Sequence, residues 1–343
     1  MRFEFSERRE DLPDGDTAGS SARTAYFNGG GLSAGSGSWS VTVGSLSPGT
    51  TYYYRAAMQV GDRDFYGGIR SFTTMAASIE VLNDAWLELP ATKSGANYVA
   101  GSFSSGGTRN YSYQYDKTMY SALWEAYPLS AAYTDGPLSS GSWSYNPDID
   151  AKYQVDVRSY SYGTAYGDDT YSRGHLLPSA DRKTDATMRS QIFYVTNQVP
   201  QIQNSFNDGV WGSLETATRG LLSTVDEVFV ATGVVFRTPG GGETVKYLSA
   251  RSGYSPAQLP VANYFWKVLL KVRRSGGVVV AASAIGFWFE HKAYASGSSY
   301  VSFARPVDEI EALTGLDMFV NLPDDVEAAC EKNSSWETFR TWK

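Results

Sequence analysis

Three long apolar segments in the C-terminal half most constrain how this chain can fold. Residues 228–236, 265–272 and 278–289 are rich in β-branched and aromatic side chains, which favour strands. The longest of them, 278–289, is shorter than the roughly 18 residues of a membrane-crossing helix, and Ser283 and Gly286 interrupt it. These segments therefore predict buried strands of a sheet.

Helical patterns accompany these strands, so the fold class is predicted to be α+β. Helices are expected near residues 208–222 and 307–314. Residues 110–115 alternate like a further strand. Between residues 118 and 127 the apolar side chains follow helical spacing and Pro128 ends the run, which leaves either a short helix or an extended lead-in.

The composition restricts the classes of site that the chain can carry. A single cysteine and two histidines exclude a disulfide framework and a Cys/His-rich zinc site, so a bound metal would rely on oxygen ligands. The net charge of −7 has the wrong sign for a protein that coats nucleic acid through its whole surface. A local basic site stays open.

The first 75 residues predict a separate β module. Alternating residues in 39–43 and 52–56 predict two strands joined by a Ser-Pro-Gly turn, and a hairpin follows through residues 61–74. Residues 1–15 have no apolar core of a signal peptide, so none is expected in this segment. We predict a β module at 1–75, a linker at 76–84 and a larger domain at 85–343.

The sequence of residues 46–56, closing on Ser71-Phe72-Thr73-Thr74, resembles the C-terminal half of a bacterial fibronectin type III module. That resemblance implies an all-β sandwich of about seven strands. Residues 1–75 leave room for roughly five, so the resemblance is to part of such a module.

Residues 31–35 match the G-x-S-x-G pattern, which forms the nucleophile elbow of serine hydrolases. That pattern requires a buried strand before the serine and a helix after it. Here the flanking residues have the Gly/Ser-rich composition of a flexible loop. The match is therefore set aside.

The two histidines differ in their surroundings. His291 follows an apolar strand and lacks a polar cluster, which indicates a packing or surface residue. His175 lies in the segment Ser172-Arg173-Gly174-His175, where glycine permits close backbone approach and Arg173 can bind a phosphate. His175 is therefore the candidate general base.

Downstream polar residues add to this candidate site. Residues 193–197 resemble a strand that delivers Asn197 to a loop. On the following helix, residues spaced four apart are expected to share one exposed stripe: Asn207, Trp211, Glu215 and Arg219. For the stripe taken alone, a purely structural interpretation is favoured, with Asn207 as the helix N-cap and Glu215 paired with Arg219.

In this order, these motifs resemble the DNA/RNA non-specific endonucleases, the ββα-metal nuclease family that includes endonuclease G. The resemblance covers about residues 80–340 and implies a nuclease domain with a central antiparallel sheet. The matching motifs are Tyr115-Asp116 to Trp124, Ser172-Arg173-Gly174-His175, Thr196-Asn197-Gln198-Val199-Pro200-Gln201, Asn207 to Arg219, and the segments 306–310 and 313–317.

The resemblance also implies residue roles and partners. His175 would act as general base, Asn207 would bind Mg²⁺, for which Mn²⁺ could substitute, and Glu215 would hold metal-bound water. DNA and RNA would be the substrates, cut to 5′-phosphate ends. Three side chains would position or neutralise the phosphate: Arg173, Asn197 and Arg219.

Two positions depart from the family pattern. Ser172 stands where the family usually has aspartate, and Thr118 stands where it tends to have arginine, with Lys117 beside it as a substitute point charge for the substrate. An alternative function is therefore a catalytically weakened binding or adhesion protein.

The resemblance to secreted or envelope-attached bacterial nucleases predicts the same localisation here. An N-terminal module of this kind would contact another protein or a surface glycan. The oligomeric state stays open, a homodimer being one option.

Overall fold

The computed structural model describes residues 2–15, 18–26, 43, 46–47, 50–74, 86–157, 165–166, 169–275, 278–322 and 324–343. The chain divides into two compact units, residues 1–78 and 79–343. This division falls inside the segment 76–84. The assignment of functional domains on either side stays a prediction.

The first unit contains an antiparallel sheet in the order β2-β1-β3-β4, with β5 pairing with the first half of β3. A buried ion pair between Arg55 and Glu4 joins two of its strands at 2.8 Å. Residues 39–42 lie outside the described residues, and the fibronectin resemblance stays a prediction. The strands are β1 (Arg2–Ser6), β2 (Arg23–Tyr26), β3 (Thr51–Val60), β4 (Arg63–Tyr66) and β5 (Arg70–Thr73).

The second unit mixes strands and helices, as expected for an α+β fold. Its strands are β6 (Tyr98–Ser105), β7 (Thr108–Asp116), β8 (Ser121–Ser130), β9 (Ala165–Tyr166), β10 (Asp169–His175), β11 (Gln198–Ile202), β12 (Glu227–Val235), β13 (Lys246–Ser249), β14 (Gln258–Val261), β15 (Tyr264–Ser275), β16 (Val278–Glu290) and β17 (Ala304–Arg305). Its α-helices are α1 (Ala131–Thr134), α2 (Ala186–Gln191), α3 (Gly212–Gly220), α4 (Val307–Thr314), α5 (Asp324–Cys330) and α6 (Trp336–Thr341).

A seven-stranded antiparallel sheet in the order β17-β16-β15-β12-β8-β7-β6 forms the centre of this unit. The apolar segments at 228–236, 265–272 and 278–289 correspond to its strands β12, β15 and β16. The predicted helix at 307–314 is α4. Side chains alternate between two cores, because neighbouring residues of a strand point to opposite faces. Phe265 packs in one core and Trp266 in the other.

The structure decides one open alternative in favour of extended chain and contradicts one local prediction. Residues 118–127 form no helix: β8 begins at Ser121, and its side chains alternate between the two cores, with Trp124 in one and Tyr127 in the other. Residues 193–197 form no strand either, since a 3-10 turn covers Val195–Asn197 and β11 begins at the next residue. In both places tertiary packing outweighs the local pattern.

A smaller sheet carries the sequence motifs. Strands β10 and β11 pair antiparallel, and β11 leads directly into a wide helical segment, Gln203–Trp211, that continues as α3. Ser205, with φ of +67°, and Gly209 depart from helical geometry inside this segment, so its axis bends. Two strands followed by a helix match the ββα arrangement that the resemblance implies.

Candidate active site

On the antiparallel pair of β10 and β11, the Gln201 side chain lies directly against Gly174. A Cβ atom at this position would lie 2.2 Å from the Gln201 side chain, which is fully buried. Such an approach is sterically excluded for every residue except glycine. The glycine between Arg173 and His175 is therefore required by packing in the hairpin.

Ser172 orients Asn207 through a hydrogen-bond chain. The Ser172 hydroxyl donates to the Gln201 carbonyl oxygen at 3.3 Å, so its oxygen is left to accept from the Asn207 Nδ2 amide at 3.1 Å. The side-chain oxygen of Asn207, Oδ1, accepts no hydrogen bond from any residue that the structure describes. The side chain thus presents an uncommitted oxygen, the atom type that Mg²⁺ prefers.

This geometry replaces the structural interpretation of Asn207. The N-cap of α3 is Trp211, and the Asn207 side chain accepts from no backbone amide of the described residues, so Asn207 is not the N-cap. Serine at position 172 still supplies the hydrogen-bond acceptor that aspartate would supply. The departure from the family pattern removes a negative charge and keeps the contact.

His175 lies between two aromatic rings. Its ring centroid is 4.6 Å from that of Trp143 and 5.0 Å from that of Phe193, and its Nε2 atom is buried without a hydrogen-bond partner among the residues that the structure describes. Burial lowers the pKa of His175 to about 3, and the positive charges of Arg189 and Arg173 act in the same direction. The imidazole is therefore neutral at physiological pH and can accept a proton, but burial also makes it a weaker base than a solvent-exposed imidazole.

Asn197 is fully buried and committed to the backbone. Its carbonyl oxygen accepts from the amides of Leu176 and Leu177 at 2.9 and 2.8 Å, and its amide donates to the carbonyls of Leu177 and Ile192. Because all four bonding positions are occupied, the side chain has no atom left for a phosphate. Asn197 instead holds the chain that immediately follows His175.

The expected polar stripe on the helix is only partly exposed. Trp211 is fully buried, packed against Phe206 and Phe265, while Glu215 and Arg219 are half-buried. Arg219 forms its ion pair with Asp181 at 2.9 Å, so the expected Glu215–Arg219 pair is replaced. Asp181 also accepts a hydrogen bond from the Tyr127 hydroxyl at 3.1 Å.

Lys267 lies buried close enough to Glu215 to lower the pKa of that carboxyl, while burial lowers the pKa of its own ammonium. Its ammonium lies 4.8 Å from the Trp211 ring centroid, and its side chain has no hydrogen-bond partner among the described residues. Burial raises the pKa of Glu215 to about 7, while Lys267 and Arg219 favour the charged carboxylate. Lys267 is the cation that sequence reasoning missed, because a lysine inside an apolar strand gives no sign of the helix it faces.

Arg173 and Lys117 lie on neighbouring parts of the surface. The Arg173 side chain is 40% exposed, lies 5.6 Å from the Trp143 ring centroid and reaches Asp156 at 3.8 Å. Lys117 places its ammonium 5.0 Å from the ring of Tyr153, three residues before Asp156. Thr118 donates to Asp116 at 2.6 Å and so closes the turn between β7 and β8.

His291 is a buried structural residue, which confirms the packing interpretation. Its Nε2 atom accepts from the Ile202 amide at 3.0 Å, so Nδ1 carries the proton and donates to the Ala262 carbonyl at 2.9 Å. Burial lowers the pKa of His291 to about 4. Protonation would place a second N–H opposite the Ile202 N–H at the end of β11.

The buried environment of His291 predicts that acid lowers the free energy of unfolding. Between pH 7 and pH 5 the unfolded chain binds a proton at His291 and the folded chain does not, so the free energy of unfolding falls by about 2 kcal/mol through this residue. Urea unfolding of wild type and His291→Gln at both pH values should show the fall reduced by that amount in the variant. Equal falls in the two proteins would contradict the assignment.

The chain is similar to known proteins of one family. Residues 94–325 match the family model described as DNA/RNA non-specific endonuclease. The chain is 30% identical over 161 residues to Nuclease 1, mitochondrial, of Schizosaccharomyces pombe, covering 46% of this chain and 49% of that protein. It is 24% identical over 227 residues to a Nuclease of Nostoc sp., covering 64% and 75% of the two chains.

A relative from cattle and a solved structure extend the comparison. The chain is 26% identical over 213 residues to Endonuclease G, mitochondrial, of Bos taurus, covering 61% of this chain and 66% of that protein. A crystal structure of an EndoG/EndoGI complex shares the fold with a TM-score of 0.53 at 20% identity, covering 66% of this chain and 88% of that one. The chain spans about half the length of the Schizosaccharomyces protein and of a Saccharomyces cerevisiae mitochondrial nuclease.

Proposed function

Because the chain belongs to the DNA/RNA non-specific endonuclease family, we propose that it is a Mg²⁺-dependent endonuclease that hydrolyses both DNA and RNA to 5′-phosphate ends. Membership of this family confirms the prediction of a nucleic-acid hydrolase at the level of the family. The observation that carries the finer proposal is the pairing of a neutral histidine and an oriented, uncommitted asparagine oxygen on one ββα element.

The residues present fit a hard divalent cation, and the family is generally metal-dependent. The Asn207 carbonyl oxygen would be the direct ligand, and the Glu215 carboxylate would hold metal-bound water. Mg²⁺ bound there would supply positive charge that stabilises the phosphate and the departing 3′ oxygen. Mn²⁺, which also accepts oxygen ligands, would substitute.

His175 acts as general base in this proposal. A neutral imidazole accepts a proton from the attacking water, and the water oxygen forms a bond to phosphorus while the bond to the 3′ oxygen breaks. The aromatic rings of Trp143 and Phe193 hold the imidazole in place. The cost of charging this buried ring favours passing the proton on before the next turnover.

Cationic residues would bind the phosphate backbone of the substrate. Arg173, the most exposed of them, would contact a phosphate directly, with Lys117 extending the contact along the strand. Arg219, held by Asp181, would balance charge near Glu215, and Asn197 would position His175. Contacts of this kind bind phosphates and ignore base edges, which suits cleavage without sequence preference.

The decisive experiment is digestion of plasmid DNA and of a single-stranded RNA by wild-type protein. We expect cleavage of both with Mg²⁺, none with EDTA, and product ends that can be joined by a ligase requiring a 5′-phosphate. A protein that binds both nucleic acids and cleaves neither would favour the alternative, a catalytically weakened binding or adhesion protein. Ends that carry 3′-phosphate would contradict the proposed bond cleavage.

Ser172 offers a direct test of how Asn207 is oriented. Ser172→Ala removes the acceptor of the Asn207 amide, and we expect cleavage at limiting Mg²⁺ to fall about 10-fold to 100-fold, the usual effect of losing a residue that orients a metal ligand. Ser172→Asp keeps an acceptor and should retain at least wild-type activity. Wild-type rates for Ser172→Ala at every Mg²⁺ concentration would show that this hydrogen bond is dispensable.

The proposal extends to location. A protein secreted or attached to a bacterial envelope would degrade external nucleic acid, and the Nostoc relative is consistent with a bacterial source, although other relatives are mitochondrial. Among the described residues no helix has the length and apolar character to cross a membrane. Contact of the N-terminal unit with a protein or glycan stays a prediction.

A further inference from the structure

A cluster of carboxylates lies in the C-terminal part of the chain, apart from the candidate active site. One oxygen each of Asp308, Glu311 and Glu331 lie within 4.8 Å of one another. Asp308 and Glu311 belong to α4, and Glu331 follows α5 directly. Val307 of α4 packs in the core that contains Trp266, whereas Trp211 of the active-site helix belongs to the other core.

Glu331 is the unusual member of this cluster. The residue is only 4% exposed, and its Oε1 atom is enclosed without a hydrogen-bond partner. Within the described ranges, no lysine, arginine or histidine lies within ion-pair distance of Asp308, Glu311 or Glu331, and the nearby Arg305 pairs with Glu309 at 3.3 Å. A buried carboxylate facing two others without a counter-charge is strongly unfavourable.

The backbone holds the cluster in place. The Val307 amide donates to the Glu331 carbonyl oxygen at 2.7 Å, which fixes α4 against the end of α5. The Met318 amide donates to Glu311 Oε1, also at 2.7 Å, so this carboxylate has a defined direction. Burial and the surrounding carboxylates raise the pKa of Glu331 to about 9.

We propose that Asp308, Glu311 and Glu331 form a Ca²⁺ site that joins α4 to the end of α5. Oxygens that lie closer together than 4.8 Å can share one Ca²⁺ ion, whose bonds to oxygen are about 2.4 Å long. The three carboxylates are therefore close enough to bind one ion together. Mg²⁺ is usually held by one or two carboxylates and keeps several waters, so a site built from three carboxylates favours Ca²⁺.

Further oxygen ligands are close by. Glu311, Asp317 and Glu327 form a second group whose oxygens also lie within 4.8 Å of one another, and it shares Glu311 with the first. Because Ca²⁺ takes six to eight oxygen ligands, these carboxylates and water can complete its coordination. The bound ion would neutralise the buried Glu331 and stabilise the C-terminal helices.

Thermal unfolding of the full chain tests this site. After treatment with EDTA and dialysis, 5 mM Ca²⁺ is expected to raise the melting temperature of wild type by about 3 to 6 °C, and Mg²⁺ by clearly less. Glu331→Gln and Glu311→Gln should lose this rise. The readout is the Ca²⁺-dependent increment, so a variant whose basal stability changes still gives an answer.

Two controls separate this site from other effects. Glu309→Gln lies on the same helix outside the cluster, and Asn207→Ala disables the candidate active-site ligand; both should keep the full rise. The proposal is overturned if wild type shows no rise, if Glu331→Gln keeps it, or if Asn207→Ala abolishes it. Terbium luminescence, bound by wild type and lost in Glu331→Gln, provides a second readout that is independent of catalysis and of stability.

Discussion

Replacing His175 by alanine is expected to lower the rate of DNA and RNA cleavage by about 10³-fold, within the usual contribution of a general base. The imidazole is held neutral by burial and by two nearby arginines, and aromatic packing fixes its direction. Alanine removes the proton acceptor and leaves Asn207 and its hydrogen bond to Ser172 unchanged. Initial rates on plasmid and RNA at saturating Mg²⁺ measure the effect.

Chemical rescue distinguishes loss of a base from loss of structure. Added imidazole should restore part of the activity of His175→Ala, because the space between Trp143 and Phe193 can admit a small ring. A melting temperature close to that of wild type would show that the fold persists. If His175→Ala cleaves at the wild-type rate, another residue acts as the base and this assignment fails.

Replacing Asn207 by alanine is expected to cost at least about 100-fold in activity, with a shift of half-maximal activity to higher Mg²⁺. The reason is specific to one atom, since the amide nitrogen is engaged by Ser172 and the carbonyl oxygen is uncommitted. Asn207→Asp keeps an oxygen ligand and adds charge, so it should retain metal dependence. Magnesium titrations of cleavage compare these variants.

Asn204 provides a matched control for this prediction. It lies in the same helical segment, three residues before Asn207, and is exposed. Asn204→Ala should leave both the rate and the Mg²⁺ response within a factor of about two, as expected for a surface substitution. If Asn204→Ala and Asn207→Ala respond alike, the effect belongs to the bend of the segment and the ligand assignment loses its support.

The sequence predicts the fold best in long segments of consistent apolar character. The apolar runs at 228–236, 265–272 and 278–289 form strands because most of their side chains are suited to burial on one face or the other. Local patterns failed where the partner decided the outcome. Residues 118–127 have helical spacing, yet pairing with β7 and β12 and the two surrounding cores make them a strand.

The candidate site was predictable in its chain order and less so in its contacts. His175 and Asn207 were singled out from motifs, but the contact through Ser172 depends on how β10 pairs with β11. Three contacts of the site join distant parts of the chain: Asp181 with Arg219, Lys267 with Glu215, and Trp143 with His175. No local periodicity encodes such pairs, because they arise only when the sheet brings the segments together.

If Asn207 binds the metal as proposed, the hydrogen bonds of Ser172 and Asn197 make the register of β10 against β11 a condition for metal binding. Ser172 reaches Asn207 only while it lies opposite Gln201, and a slip by one residue would turn the serine to the other face. Asn197 opposes such a slip because it grips Leu176 and Leu177 just beyond the strand. Variants that weaken these hydrogen bonds should lose their response to metal before they lose folded structure. Asn197 would then fix the strand register as well as the position of His175.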